Sequence, residues 1–265
     1  MIRKLFLGCF GITCIVLFAC AGKSSRYQEA KIKSMLLVWS IPVFNPDSGK
    51  VSNMRDSVLI YHLDDLVLYR VAYTYTQYNK NAQKGNTNTI SDDPKTIDFS
   101  KTRYKNFIYR RNSLTGFVYD SLSTNSHLTF NVDSFERKKT FKGSKFYETS
   151  HDKIVESMLN KDRSELIEKY ASITKPDESY SDTSYYYFSR GLNDVNYSFS
   201  KEADSAKKMK LNKIVFIYNP VPKNDHNKVA IPRREILLEI KKITVSNKKE
   251  ITSFFEKFRH DKSLK

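Results

Sequence analysis

The stretch "DSVLIYHLDDLVLYRVAYTYTQY" (residues 56–78) decides how the rest of the chain is read. After Asp64-Asp65, Val67, Tyr69, Val71, Tyr73 and Tyr75 share one parity, and Leu66, Leu68, Arg70, Ala72, Thr74 and Thr76 share the other. Successive side chains of a strand point to opposite faces, so this period of two predicts a strand with one buried and one wetter face. The same pattern recurs on either side. Upstream, "SMLLVWSIPVF" (34–44) holds the single tryptophan, Trp39, and reads as a buried strand, while "NPDSGK" (45–50) has the residues of a turn. Downstream, 79–96 is a polar loop, and 103–122 reads as strand, turn, strand, with Asn112 and Gly116 supplying the turn. Residues 127–135, "HLTFNVDSF", alternate again. Connections this short join antiparallel neighbours.

The pattern changes at residue 151. Ile154, Val155, Met158, Leu159, Leu166, Ile167 and Tyr170 fit helical spacing, and Asp162 precedes Glu165 at the interval of a capping box. One or two helices are expected over 151–171; the alternative is a helix there that separates two small β lobes, with a subdivision near 150–180. Strand patterns return at 183–189, 195–200, 213–219 and 234–243. In the tail, Ile251, Phe254, Phe255 and Phe258 lie at i, i+3, i+4 and i+7, which predicts an amphipathic helix. Its apolar stripe is expected to pack on strands such as "REILLEIKKI" (234–243) just upstream. The expected fold is α+β: a mainly antiparallel sheet with helices on one face, a central helical segment and a C-terminal amphipathic helix.

The first residues follow a different logic. Arg3 and Lys4 precede an apolar run from Leu5 to Phe18, too short to span a bilayer but right for a secretory signal. It ends in Leu17-Phe18-Ala19-Cys20, which resembles the lipobox of bacterial lipoprotein precursors. The resemblance covers about the first 22 residues. It implies that Cys20 is joined to diacylglycerol, that residues 1–19 are removed, and that the new amino group is acylated. Residues 20–33 then form a polar tether and 34–265 the body. All three cysteines fall by residue 20, so the body contains no thiol. The implied address is the cell envelope, and Ala21 after the anchor resembles the pattern sent to the outer membrane of hosts with two membranes.

Lys+Arg number 45 against 29 Asp+Glu, and without Arg3 and Lys4 the mature body keeps 43 − 29 = +14. A surplus of this size suits an acidic partner, either anionic lipid or polysaccharide. Nucleic acid is not expected, because the chain is exported and has no Arg-rich helix or aromatic RNA-binding signature. The bilayer itself is a partner through acylated Cys20.

Most catalytic chemistry finds no footing. The histidines are dispersed, the segment 45–56 lacks the glycine and closing glutamate of a calcium loop, and neither a metal nor any other cofactor is expected. Nucleophile elbows, phosphate-cradling glycine loops and dinucleotide fingerprints are absent. Tyr69, Tyr73, Tyr75, Tyr185 and Tyr187 are the candidate ligand-binding residues, since aromatic rings stack on sugar C–H faces. The expectation is an envelope lipoprotein with a binding or assembly role. The rivals are a lipid or lipoprotein carrier with an apolar cavity, and a hydrolase of envelope polymers using two close carboxylates.

Overall fold

The computed structural model describes residues 31–78, 97–124, 127–142, 146–147, 152–173, 180–223 and 229–263. Cys20, most of the tether and the loop 79–96 lie outside the described residues. Residues 32–265 form one compact unit.

The described residues of the body form a single antiparallel sheet of eleven strands. In chain order these are β1 (Lys33–Asn45), β2 (Lys50–Leu63), β3 (Leu66–Tyr78), β4 (Ile97–Arg110), β5 (Thr115–Tyr119) and β6 (Leu128–Asn131). Then come β7 (Asp152–Leu159), β8 (Glu165–Ser172), β9 (Thr183–Ser189), β10 (Lys210–Tyr218) and β11 (Arg234–Lys242). Their order across the sheet is β6-β5-β4-β3-β2-β1-β11-β10-β9-β8-β7. Two meanders thus meet where the first strand pairs with the last. Among the described residues three α-helices accompany them: α1 (Val132–Thr140), α2 (Lys201–Lys207) and α3 (Lys248–Ser263).

Strand parity sorts the side chains into two cores. Met35, Leu37, Trp39, Val58, Ile60, Val67, Tyr69, Tyr186, Phe188, Leu238 and Ile240 face one side, where α1, α2 and the chain between 190 and 209 cover them. Tyr61, Leu63, Leu66, Leu68, Ile108, Phe117 and Tyr119 face the other, under Ile251, Phe254, Phe255 and Phe258 of α3. The first half of β3 is therefore buried on both faces, because each face has its own helix. The helices do not share one side as expected. Nor does α3 lie on β11: it crosses to β2–β5, where its aromatic stripe meets apolar residues, whereas β11 presents Glu239 and Lys241 on that face. The helix itself, with its apolar stripe buried, is as the periodicity predicts.

Within the segment 151–171, residues 152–171 are not helical. They form the hairpin β7–β8, and the paired spacing of Asp162 and Glu165 belongs to its turn. Asn160 Oδ1 accepts from Glu165 N at 2.9 Å and Asp162 Oδ1 from Ser164 N at 3.1 Å, while Arg163 takes φ 56°. Leu166, Ile167 and Tyr170 fit either period, and pairing with β9 decides for the strand. Two further elements differ. Residues 127–135 are strand only to Asn131, whose side chain caps α1 by accepting from Ser134 N at 2.8 Å. Residues 195–200 are not strand, and Ser200 caps α2. Asn112 takes φ 64° in the β4–β5 turn as expected, but Gly116 lies within β5. A Cβ there would stand 2.5 Å from the Phe130 ring and from the Ile108 carbonyl oxygen, so the glycine permits close packing.

Three hairpins extend past their neighbours at one end of the sheet. The β1–β2 pair continues from Ile41↔Met54 to Asn45↔Lys50, beyond the last β1–β11 rung at Ser40. The β3–β4 pair continues from Ala72↔Tyr104 to Tyr78↔Ile97, beyond the last β2–β3 rung at Val71 and the last β4–β5 rung at Asn106. The third prolongs β10–β11 through the bridge Val221↔Ile231. All three leave at the end opposite Lys33, where the chain from the tether joins the sheet.

Candidate functional site

Two polar groups are buried where the sheet meets its cap. In the first, α1 places Glu136 on its inner stripe with Val132, Phe135 and Thr140. Its carboxylate accepts from Tyr69 Oη at 2.8 Å, Tyr109 Oη at 2.6 Å and Lys142 Nζ at 2.6 Å. Burial, then Tyr109 and Glu136, push the Tyr69 phenol well above its ordinary range, and burial, then Glu136, push that of Tyr109 the same way, so both stay protonated donors. In the second, Glu168 of β8 accepts from Lys207 of α2 at 2.6 Å and from Tyr170 Oη at 3.0 Å, and Tyr147 Oη lies 3.2 Å from Tyr170 Oη. Both clusters tie a cap element to the sheet. A carboxylate already paired to a lysine and phenols is a poor general acid or base, since its lone pairs are occupied. These are structural pins.

His62 is different. It is 7 % exposed on the same face as Val58 and Ile60, and neither ring nitrogen has a partner among the described residues. Burial, then Arg111, Lys142 and Lys33, hold its pKa down to about 4. The neutral imidazole is therefore the native form at pH 7. The unfolded chain binds this proton near pH 6.5 and the folded one only near 4, so stability is fully present above 6.5 and falls as pH drops through that window. Two and a half pH units correspond to about 3 kcal/mol. His62→Gln is expected to flatten the fall, measured as urea unfolding free energy at pH 7 and pH 4.5.

The tyrosines singled out by sequence occupy three settings. Tyr69 is buried under α1. Tyr73 and Tyr75 share its face but sit on the projecting β3–β4 ribbon. Tyr185 and Tyr187 lie on the opposite face of β9, half-buried, below Lys169 and Lys213 at 5.6 and 4.8 Å from the ring centres. Tyr73 and Tyr75 are neighbours on one strand face, as Tyr185 and Tyr187 are on another. Across from β3, β4 sets Lys105 opposite Val71, Arg103 opposite Tyr73 and Lys101 opposite Tyr75. The Arg103 guanidinium lies 4.4 Å from the Tyr75 ring centre, and the Lys105 ammonium 5.5 Å from that of Tyr73. On the reverse face Arg70 stacks 4.4 Å over Tyr104, and at the third ribbon Arg234 stands 5.2 Å over Tyr218. Lys101, Arg103 and Lys105 are exposed and have no acidic partner among the described residues. Same-face rungs repeat about every 7 Å, so the three cations span about 13–14 Å. Sequence reasoning missed these cations because it weighed lysines by runs, and an alternating strand carries one cation at every second position.

Two open depressions of about 500 and 430 Å³ flank the ends of α3, one lined by Ser246–Glu250 and the other by Arg110, Ser113, Arg259 and Lys262. The covered apolar face is filled by aromatic side chains, with Phe135 4.3 Å from Phe107 and Phe141 5.3 Å from Trp39, ring centre to ring centre. The segment 45–50 is a turn in which Asn45 Oδ1 accepts from Asp47 N and Ser48 N. No helix among the described residues is long and apolar enough to cross a membrane. Compared with known proteins, the chain matches no family model and no curated sequence.

Proposed function

We propose that the chain is a lipid-anchored protein of the cell envelope whose body binds an acidic polysaccharide through the β3–β4 ribbon. The observation that carries this reading is the stripe of Lys101, Arg103 and Lys105 beside Tyr73 and Tyr75, on a ribbon projecting from the end of the sheet remote from Lys33. Rings supply faces for sugar C–H groups, and the cations above and beside them meet carboxylates. A ribbon rather than a cleft suits a polymer, which needs length along the strand and no enclosure. Acylation at Cys20 rests on the lipobox resemblance and on the lone clustering of thiols before residue 21.

The test separates the two halves of the proposal. Lys101→Glu/Arg103→Glu/Lys105→Glu in the mature chain is expected to weaken binding to polygalacturonate at least about tenfold at low salt, with the difference shrinking at high salt. Cys20→Ser is expected to abolish palmitate labelling and leave that binding intact. Unchanged polysaccharide affinity in the triple variant, or ribbon-dependent binding to anionic vesicles instead, refutes the binding half. Labelling that survives Cys20→Ser refutes the anchor.

A further inference from the structure

An open sheet has two edges, and here they are unlike. At one edge β6 has four residues and leads straight into α1. At the other, β7 runs for eight residues and, among the described residues, pairs on one side only, with β8. Its large apolar side chains stand in water: Ile154 is 46 % exposed, Val155 57 %, Met158 50 % and Leu159 49 %. Unpaired strand edges are templates for another strand, and proteins usually blunt them with proline, inward charges or short length. This edge carries one bulge, between Ile154 and Glu156, and no proline.

We infer that β7 is the contact through which two copies of this chain pair antiparallel, joining their sheets into one. A second copy, rather than another strand, is favoured because the sequence of β7 is complementary to itself. A two-fold axis normal to the sheet at Ser157 sets Ser157 against Ser157. Ser157 lies on the face of its partner Glu168, and Leu159 and Ile154 lie on that same face with Leu166 and Tyr170. With Val155 bulged, Leu159 of each copy then falls opposite Ile154 of the other. On the reverse face Met158 falls opposite Glu156 and beside the bulged Val155. The like-charge clash that would forbid such pairing is absent, because Lys153 meets Asn160 and Glu156 meets Met158. Backbone pairing supplies the adhesion, and the matched apolar residues set the register. The inference rests on the edge alone and is independent of the polysaccharide reading.

The body has no thiol, which makes a cysteine test specific. The mature chain with Cys20→Ser is expected to sediment at twice its monomer mass at tens of micromolar, about the range of a small, transient contact. Adding Val155→Lys/Met158→Lys is expected to return it to monomer mass with an unchanged thermal midpoint, because both side chains point into solvent. Ser157→Cys in the same background is expected to form an intermolecular disulfide on mild oxidation, whereas Leu128→Cys, exposed at the other edge, is not. A monomeric parent, a dimer that survives the two lysines, or equal cross-linking from both cysteines overturns the inference. So does a monomer that captures an added β7 peptide in place of a second copy.

Discussion

Phe255→Ala is expected to lower the stability of the body by about 3–5 kcal/mol, the range for truncating a buried phenylalanine. Phe255 is 0 % exposed, between Ile251 at 0 % and Phe258 at 1 %. The stripe seats on β2–β5, with Phe258 5.3 Å from the Phe117 ring centre and Phe254 6.4 Å from that of Tyr119. Polar ties hold the helix along its length: Glu250 takes both Arg70 guanidinium nitrogens at 2.9 and 3.1 Å, Tyr119 Oη donates to Asp261 at 3.0 Å, and Arg259 pairs with Asp64 at 2.9 Å. Those ties keep the backbone from closing over the lost ring, so most of the cavity persists. Glu256, exposed on the same helix, is the control, and its change to alanine is expected to stay within about 0.5 kcal/mol. Chemical denaturation of the mature chain measures both. An unmoved midpoint for Phe255→Ala would mean that α3 is not part of the folded core.

Glu136→Ala is expected to cost a similar amount, about 3–5 kcal/mol, for a different reason. Its side chain is 7 % exposed, and the partners it would abandon are two buried phenols and Lys142. Lys142 is 37 % exposed and can turn to water, so its loss is minor. Tyr69 at 2 % and Tyr109 at 4 % cannot, and although one hydroxyl can turn to the other, at least one donor is left unmet. The distinguishing observation is a rescue. Tyr69→Phe/Tyr109→Phe added to Glu136→Ala should recover part of the loss in urea unfolding, because removing both sides of a buried hydrogen bond costs less than removing one. No recovery would move the cost from the unmet phenols to the helix itself.

Much of the sheet was legible because alternation is a local property. Residues 66–75 announce β3 by parity alone, and the tail announces α3 by its spacing of four apolar residues. The reading failed where two periods fit the same residues. Leu166, Ile167 and Tyr170 can line a helix or alternate on a strand, and nothing within 151–171 decides between them. The decision comes from β9, whose Tyr187 and Ser184 sit opposite Ile167 and Tyr170. The candidate site was legible in part. Aromatic residues stand out, so Tyr73 and Tyr75 were found. Glu136, set among lysines in "ERKKTFKGSK", reads as solvent charge until the fold turns it inward.

By itself the sequence determined the strands of the first meander, the terminal helix, the thiol-free body and the basic balance, because each depends on residue type or on neighbours within a few positions. Which face each helix covers depends on long-range placement. The same α3 stripe could lie on β11, five residues upstream, or on β2–β5, far away in the chain. Burial chose the latter, since Tyr61, Leu66, Leu68 and Phe117 offer apolar area where β11 offers Glu239 and Lys241. The pairing of β1 with β11, which joins first strand to last, is likewise a tertiary outcome: only when the two meanders meet do Leu37 and Ile240, or Trp39 and Leu238, become neighbours and leave water together.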